Sequence, residues 1–133
     1  MLYVIQNGYN GVQKQEAQDI VYCVIRISQL IANNVECLFS DGHALSALTK
    51  FYTQKQLPVL NDLVSYEDVY ARYWLDEIDI DLKRRKEAEL LIKTELPKEY
   101  IVGYIVYNNK AKEQLVSYGI NENRISIKPN YYF

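Results

Sequence analysis

The chain has 133 residues and a formal net charge of −2, with 49% of its residues apolar and 24% charged. That length suits one globular domain with a real core, and the near-neutral balance excludes a global basic field that would draw the chain to nucleic acid. No apolar run approaches the roughly 20 residues a membrane-spanning helix needs. The N-terminus lacks the basic and then apolar pattern of a signal peptide, and a single histidine excludes a Cys/His zinc site.

In chain order, residues 6–19 are polar, contain Gly8 and Gly11, and read as a loop. Ile20 to Ile27 is a β-branched and aromatic run, which predicts a buried strand. Ser28 caps a short helix through Ala32, ended by Asn33-Asn34. Glu36 to Ser40 reads as a second strand, leading into an Asp41-Gly42 turn. Cys23 and Cys37 sit in these apolar runs, which predicts two buried thiols in a reducing cytoplasm.

From His43 to Thr53 the apolar spacing predicts a helix, and Pro58 breaks the chain after it. Ser65 opens a capping box, with Val69, Tyr70, Tyr73 and Trp74 continuing a helical stripe. Asp76 to Asp81 is acidic and expected to be exposed. Tyr100 to Tyr107 predicts a strand in which Gly103 marks a close approach or a bulge. Asn109 to Tyr118 is an amphipathic helix closed by Gly119. Ile125 and Ile127 alternate with Ser126 and Lys128 as in an edge strand, and Tyr131-Tyr132-Phe133 is expected to pack on the sheet.

The stretch richest in chemistry is Lys83-Arg84-Arg85-Lys86-Glu87-Ala88-Glu89-Leu90-Leu91-Ile92, where four cations meet two carboxylates and then an apolar run. A carboxylate at such an edge is partly desolvated, and nearby cations hold it ionised, so it can stabilise a developing positive charge. The plain alternative is a solvated helix face with Glu89 in an i,i+4 pair to Arg85 or Lys93. Propensity favours helix throughout, but the pattern also allows a helix ending near Glu87 and a strand from Ala88 to Ile92. Such a strand puts Glu89 and Leu91 on one face, and Ala88, Leu90 and Ile92 on the other.

Other residues carry a functional and a structural reading side by side. Arg84 and Arg85 suit phosphate contacts of DNA or of a dinucleotide, or simply balance the acidic stretch before them. Tyr73 and Trp74 can stack on a base, or anchor a core. Asp41 can cap the predicted helix through its carboxylate. Thirteen tyrosines supply rings with a hydrogen-bonding tip, suited to core edges.

Taken together, Phe39-Ser40-Asp41-Gly42-His43-Ala44, Ala71-Arg72-Tyr73-Trp74, Lys86-Glu87-Ala88-Glu89-Leu90-Leu91, Leu96-Pro97 and the terminal Lys128-Pro129-Asn130-Tyr131-Tyr132-Phe133 resemble the DarT family in order and spacing. The resemblance begins at Met1-Leu2-Tyr3-Val4-Ile5 and covers nearly all of the chain. Its most specific motif is the Glu89 segment, where the family typically has Lys-Gln-Ala-Glu-Phe-Leu; Glu87 stands in place of the Gln. DarT proteins are toxins that ADP-ribosylate single-stranded DNA with NAD as donor. The resemblance therefore implies an α/β fold with a mixed, ADP-ribosyltransferase-like sheet and a strand at Ala88 to Ile92. It implies Glu89 as the catalytic glutamate, Asp41 and His43 near the substrate site, and a DarG-type antitoxin whose macrodomain removes the modification. No metal is implied.

In the family the Met-Leu-Tyr segment lies inside the chain, after a His-containing NAD-binding strand, a nucleotide-contacting Arg and a recognition loop. The resemblance is thus to the C-terminal two-thirds of such an enzyme. It implies that these residues alone catalyse poorly and leave sheet edges uncovered, favouring association. Two rivals stand beside it. One is a non-catalytic remnant that binds DNA or the antitoxin. The other is a two-carboxylate glycoside hydrolase, with Glu87 and Glu89 roughly 7 Å apart on one strand face, although nothing in the chain marks a sugar cleft.

Overall fold

The structure, a computed structural model, describes residues 2–9, 11–73 and 77–132. In chain order its helices and strands are α1 (Leu2–Asn7), β1 (Tyr22–Ile25), α2 (Ile27–Ala32), β2 (Cys37–Ser40), β3 (Phe51–Thr53), α3 (Leu60–Leu63), α4 (Tyr66–Tyr70), α5 (Leu82–Lys86), β4 (Leu90–Ile92), β5 (Ile101–Val106), α6 (Asn109–Ser117) and β6 (Ile125–Ile127). The class is mixed α/β, with two three-stranded sheets in place of one. The single domain expected from length divides into two compact units, residues 1–27 with 97–133 and residues 28–96.

The first unit carries the sheet β1-β5-β6, antiparallel between β1 and β5 and parallel between β5 and β6. The connection from β5 to β6 runs through α6, as a parallel pair requires. Asn108 caps α6 by accepting a hydrogen bond from the Ala111 N–H at 3.0 Å, and Gly119, at φ +89°, ends it in a conformation that a side chain would disfavour. Val106, Ala111 and Ile125 form a buried cluster, with Tyr104, Leu115, Ile120 and Ile127 against it. The pairing of β1 with β5 slips between Val24 and Ile25, opposite Gly103 and Ile101. A Cβ on Gly103 would lie 3.1 Å from the Arg124 carbonyl oxygen, so the expected close approach and the irregularity are both present.

Tyr132 is 2% exposed. Its hydroxyl lies 3.0 Å and 2.8 Å from the Ile20 and Ile105 carbonyl oxygens, and the Tyr22 and Tyr107 rings meet it edge-on. Gln6 of α1 donates to the Tyr132 carbonyl. Burial pushes the Tyr132 phenol up to about 12, and raises Tyr22 in the same direction. Packing of the C-terminal aromatics is therefore concentrated in Tyr132; Tyr131 stays exposed and Phe133 lies outside the described residues. Three expectations for this region change. The buried strand predicted over Ile20 to Ile27 is the shorter Tyr22–Ile25, with no residue fully buried, and Ile27 already belongs to α2. Residues 6–19 are not all loop, since α1 reaches Asn7 and Ala17–Asp19 makes a 3₁₀ turn. Cys23 is exposed, because it falls on the outward side of β1, while Cys37 is buried; both are free thiols.

The second unit carries the antiparallel sheet β3-β2-β4. Phe39 is buried at its centre and stacks on Tyr52 at 5.3 Å. After α2, Asn34 at φ +53° turns the chain, and the Val35 N–H returns to the Leu30 carbonyl at 2.9 Å. Pro58 does not break the structure but sits within a 3₁₀ helix, Gln54–Val59, opened by a Thr53/Gln56 capping box. Ser65 caps α4 as the sequence predicts, accepting from the Asp68 N–H at 3.1 Å. The helix stops at Tyr70, before Tyr73.

The helix predicted over residues 43–53 is absent. Residues 41–50 form a loop between β2 and β3, and Phe51 to Thr53 is strand. The physical reason lies in the backbone partners. The N–H groups of Ala44, Leu45 and Lys50 are taken by Glu89, His43 and Asp41 side chains in place of helical carbonyls. The apolar residues that suggested a buried face, Leu45 and Leu48, are 91% and 73% exposed. Among the described residues no helix is long and apolar enough to cross a membrane, and no cluster of three or more His, Cys, Asp or Glu is placed to hold a metal.

Candidate active site

The chemistry-rich segment divides into helix and strand, but the strand expected over Ala88 to Ile92 is confined to its last three residues. Residues Leu82–Lys86 are helix α5, and Leu90–Ile92 are strand β4. Glu89 stands immediately before β4, and its backbone extends the pairing with β2: the Ser40 N–H donates to the Glu89 carbonyl at 2.9 Å. The next pairs are Phe39 with Leu90 and Leu38 with Leu91. Alternation puts Glu89 on the face of Leu91 and Leu38, and both of these are exposed. Glu89 is itself half-buried, on the face of the sheet opposite the buried Phe39 and next to the buried Ser40.

The tip of the side chain is gripped by the loop. The Ala44 N–H donates to Glu89 Oε2 at 3.0 Å. Among the described residues Oε1 has no donor, so one oxygen is held and the other is available to a reacting group. Among the described residues no ion pair joins Glu89 to Arg84, Arg85 or Lys93. Lys93 pairs with Glu36 at 2.8 Å. Glu87 caps the end of α5 with φ −92° and ψ 29°, so Glu87 and Glu89 do not share a strand face and the two-carboxylate arrangement is lost.

Arg84 and Arg85 are tied to acids. Arg84 is bidentate to Asp81, with Nε to Oδ1 at 2.7 Å and Nη2 to Oδ2 at 2.8 Å, and its Nη1 donates to Asp41 Oδ1 at 2.9 Å. Arg85 reaches Asp68 at 2.6 Å and also Asp79 and Asp81. Charge-assisted bonds of this geometry are the strong kind. The Arg84 bonds hold Asp81 well below the usual carboxylate range, at about 2. The Arg85 bond lowers Asp79, and both guanidinium pKa values are raised by their carboxylate partners. The acidic stretch is therefore not a free exposed run: Asp79 and Asp81 are half-buried in ion pairs. Asp76 lies outside the described residues.

Asp41 does not cap a helix. Its Oδ1 accepts from the Lys50 N–H at 2.9 Å and closes the base of the loop. Gly42 is required for space, because a Cβ there would overlap the Arg84 side chain and its carbonyl. The His43 N–H donates to the Arg84 carbonyl at 3.0 Å, fastening the loop to α5. The His43 ring accepts at Nδ1 from the Leu45 N–H, 3.1 Å away. With Nδ1 accepting, Nε2 is the ring nitrogen left to donate.

The structure therefore brings together Glu89, Asp41, His43 and Arg84, and links Arg85 to the same network through Asp81. Tyr73 is 74% exposed with the Arg72 guanidinium 5.6 Å from its ring centroid. No contact among the described residues joins it to Glu89. Trp74 lies outside the described residues. Two participants escaped the sequence reading: the Ala44 N–H, which becomes a donor only because the loop is not helical, and the hydroxyl of Ser40. The one available signal was a serine ending an apolar strand, immediately before Asp41-Gly42.

An antiparallel sheet with a glutamate beside it and a loop that donates to the carboxylate fits the ADP-ribosyltransferase class of fold. The chain belongs to the DarT family: the family described as "ssDNA thymidine ADP-ribosyltransferase, DarT" matches residues 1–133. The DNA ADP-ribosyl transferase of Escherichia coli O127:H6 (strain E2348/69 / EPEC) is 27% identical over 139 aligned residues, covering 100% of this chain and 62% of that protein. Solved structures of Thermus sp. 2.9 DarT share the fold. The complex with NAD+ gives a TM-score of 0.80 at 24% identity, over 99% of this chain and 66% of that one. The complex with ADP-ribosylated ssDNA also gives 0.80 at 24% identity, over 99% and 63%. Thermosipho africanus DarTG in complex with ADP-ribose gives 0.76 at 21% identity, over 100% and 33%. The chain thus spans about 62% of the length of its E. coli relative.

Proposed function

We propose that this chain carries the catalytic glutamate of an enzyme that transfers ADP-ribose from NAD to a thymidine base of single-stranded DNA. The observation that carries the reading is Glu89, anchored through its backbone to Ser40 and through Oε2 to the Ala44 N–H. The family match over residues 1–133 supports the reaction class and the base, and supports treating both units as parts of one catalytic domain. The Thermus complexes support NAD as donor and single-stranded DNA as acceptor.

Cleavage of the bond between nicotinamide and ribose leaves positive charge on the ribose, as in glycoside cleavage. Nicotinamide departs with the bonding pair. A base nitrogen supplies the new bond and gives up its proton. A fixed carboxylate serves this step because it stabilises charge that exists only near the transition state. Glu89 Oε1 is the atom assigned that work, and it is also a base for the acceptor's proton. His43 Nε2–H is a donor for a phosphate or carbonyl oxygen of the substrate, and the exposed Tyr73 ring is a stacking platform. Asp41, Arg84 and Arg85 hold the loop and α5 in register, and their guanidiniums serve as struts instead of phosphate clamps.

The Thermosipho DarTG structure, bound to ADP-ribose, supports a toxin role with a DarG-type macrodomain antitoxin as partner. NAD and DNA are both cytoplasmic, which supports a cytoplasmic enzyme. The chain's coverage of 62% of its relative favours a second reading, in which these residues alone bind DNA or the antitoxin without turning over NAD. One assay separates the two: nicotinamide release by the purified 133-residue chain, with and without a thymidine-containing oligonucleotide. DNA-dependent release that vanishes in Glu89→Ala supports the enzyme. DNA binding without release supports the second reading, and neither activity refutes both.

A further inference from the structure

We infer that Ser40 is a positioning residue for Glu89. The inference rests on the catalytic reading above, and it concerns a side chain to which the family resemblance assigns no role. Ser40 is 1% exposed and is the one buried polar side chain among the described residues. Burying a hydroxyl is unfavourable unless its bonds are made, and here they are. Its Oγ–H donates to the Gly42 carbonyl at 2.7 Å, and Oγ accepts from the Glu89 N–H at 3.1 Å, with the Glu89 carbonyl 3.4 Å away.

The second of these bonds departs from the ladder. In an antiparallel ladder alternate opposed pairs exchange both backbone bonds, and Ser40 with Glu89 falls at such a position. The Ser40 N–H does donate to the Glu89 carbonyl, but the return bond from Glu89 goes to the Ser40 hydroxyl in place of its carbonyl. The pairing therefore passes from backbone to side chain at this one position. That exchange lets β2 leave the sheet for the Asp41-Gly42 turn while Glu89 stays anchored.

The same hydroxyl fixes both ends of the catalytic side chain. It holds the Glu89 backbone directly. Through Gly42 it also sets the turn that aims the Ala44 N–H at Glu89 Oε2. At 1% exposure no water can replace it. Removing the hydroxyl leaves a donor at residue 89 and an acceptor at residue 42 unpaired, and frees the carboxylate at its root and at its tip together.

The test uses the protein at its natural length, with Ser40→Ala, Ser40→Thr, Glu89→Gln and the Ser40→Ala/Glu89→Gln double variant. We expect Ser40→Ala to lower kcat for ADP-ribose transfer about 100-fold, the scale of a displacement near 1 Å, with KM for NAD changed less than about threefold. Ser40→Thr keeps the hydroxyl and should recover most of the rate. On the Glu89→Gln background, Ser40→Ala should remove nothing further, because the group it positions is already lost. A Ser40→Ala enzyme with parental kcat overturns the inference, as does an equal fold-loss on both backgrounds. Should the parent itself transfer no ADP-ribose, the functional reading fails, and the positioning claim is judged by amide exchange. Faster exchange at both Glu89 and Ala44 in Ser40→Ala then supports it, and unchanged exchange at either overturns it.

Discussion

The two units are held together by different physics. Residues 1–27 with 97–133 close around an apolar cluster and the ring of Tyr132, with α6 packed beside a parallel strand pair. Residues 28–96 have short strands, and their loop and α5 are fastened by charge-assisted bonds among Arg84, Arg85, Asp41, Asp68, Asp79 and Asp81. Apolar packing is non-directional and tolerates small shifts, whereas a guanidinium–carboxylate fork fixes orientation. The unit that carries the candidate carboxylate is the one built on directional bonds. A carboxylate must be held within a fraction of an ångström of the reacting atoms to be effective, and orientation is what the polar network supplies.

The largest effect expected from breaking this contrast is on rate. Glu89→Ala should lower ADP-ribose transfer by on the order of 100- to 1,000-fold or more, with the unfolding midpoint close to the parent's. Glu87→Gln, at the cap of α5, should retain activity; both are read on a labelled oligonucleotide. Equal activity of Glu89→Ala and parent would remove the site from the second unit.

Next come the two stability anchors. Tyr132→Ala should destabilise by about 3–5 kcal/mol through cavity formation, measured by denaturant unfolding. Tyr132→Phe, which removes the one O–H that the Ile20 and Ile105 carbonyls share, should cost about 1–3 kcal/mol. Arg84→Ala should cost about as much as Tyr132→Phe in stability but should also lower kcat, since the loop bearing Ala44 is fastened to it. If Arg84→Ala costs stability alone, the network is only a staple.

His43 gives a finer comparison within the loop. His43→Gln places an amide donor near the position of Nε2 and should keep more activity than His43→Asn, whose amide reaches only as far as Nδ1. Nitrogen NMR of the ring should find the proton on Nε2. A ring protonated on Nδ1 would contradict the bond from Leu45.

The smallest effects separate the units by pH. Arg84 holds Asp81 at about 2 in the folded state, below its unfolded value near 4. Between those values the unfolded chain binds more protons, so this stabilisation is present above about pH 4 and is lost as pH falls toward about 2. Tyr132 is raised to about 12 by burial, above an unfolded value near 10. Its contribution is present below about pH 10 and is lost as pH rises through about 12. Amide exchange followed at both extremes should show residues 28–96 loosening first in acid and the Tyr132 region loosening first in alkali. The reverse order would refute the division of forces drawn here.

The sequence by itself determined the elements whose signals are local. The strand within Tyr100 to Tyr107, α6 with Gly119 at its end, the Ser65 cap and the edge strand at Ile125 all follow from periodicity and capping chemistry. The strand after Glu89 was legible only as one of two options, since Leu, Glu and Lys favour helix on propensity; pairing with β2 decided it. Only the tertiary structure decided the 41–50 loop. Its spacing from His43 onward reads as a helix, but the Glu89 and Asp41 side chains, neither within that spacing, capture its amides. The same holds for the cations of 83–86, which look like a solvated face until Asp41 and Asp68, 43 and 17 residues from their arginines, supply carboxylates. A bond between residues distant in the chain leaves no periodic trace, and Ser40 depends on such a bond to Glu89.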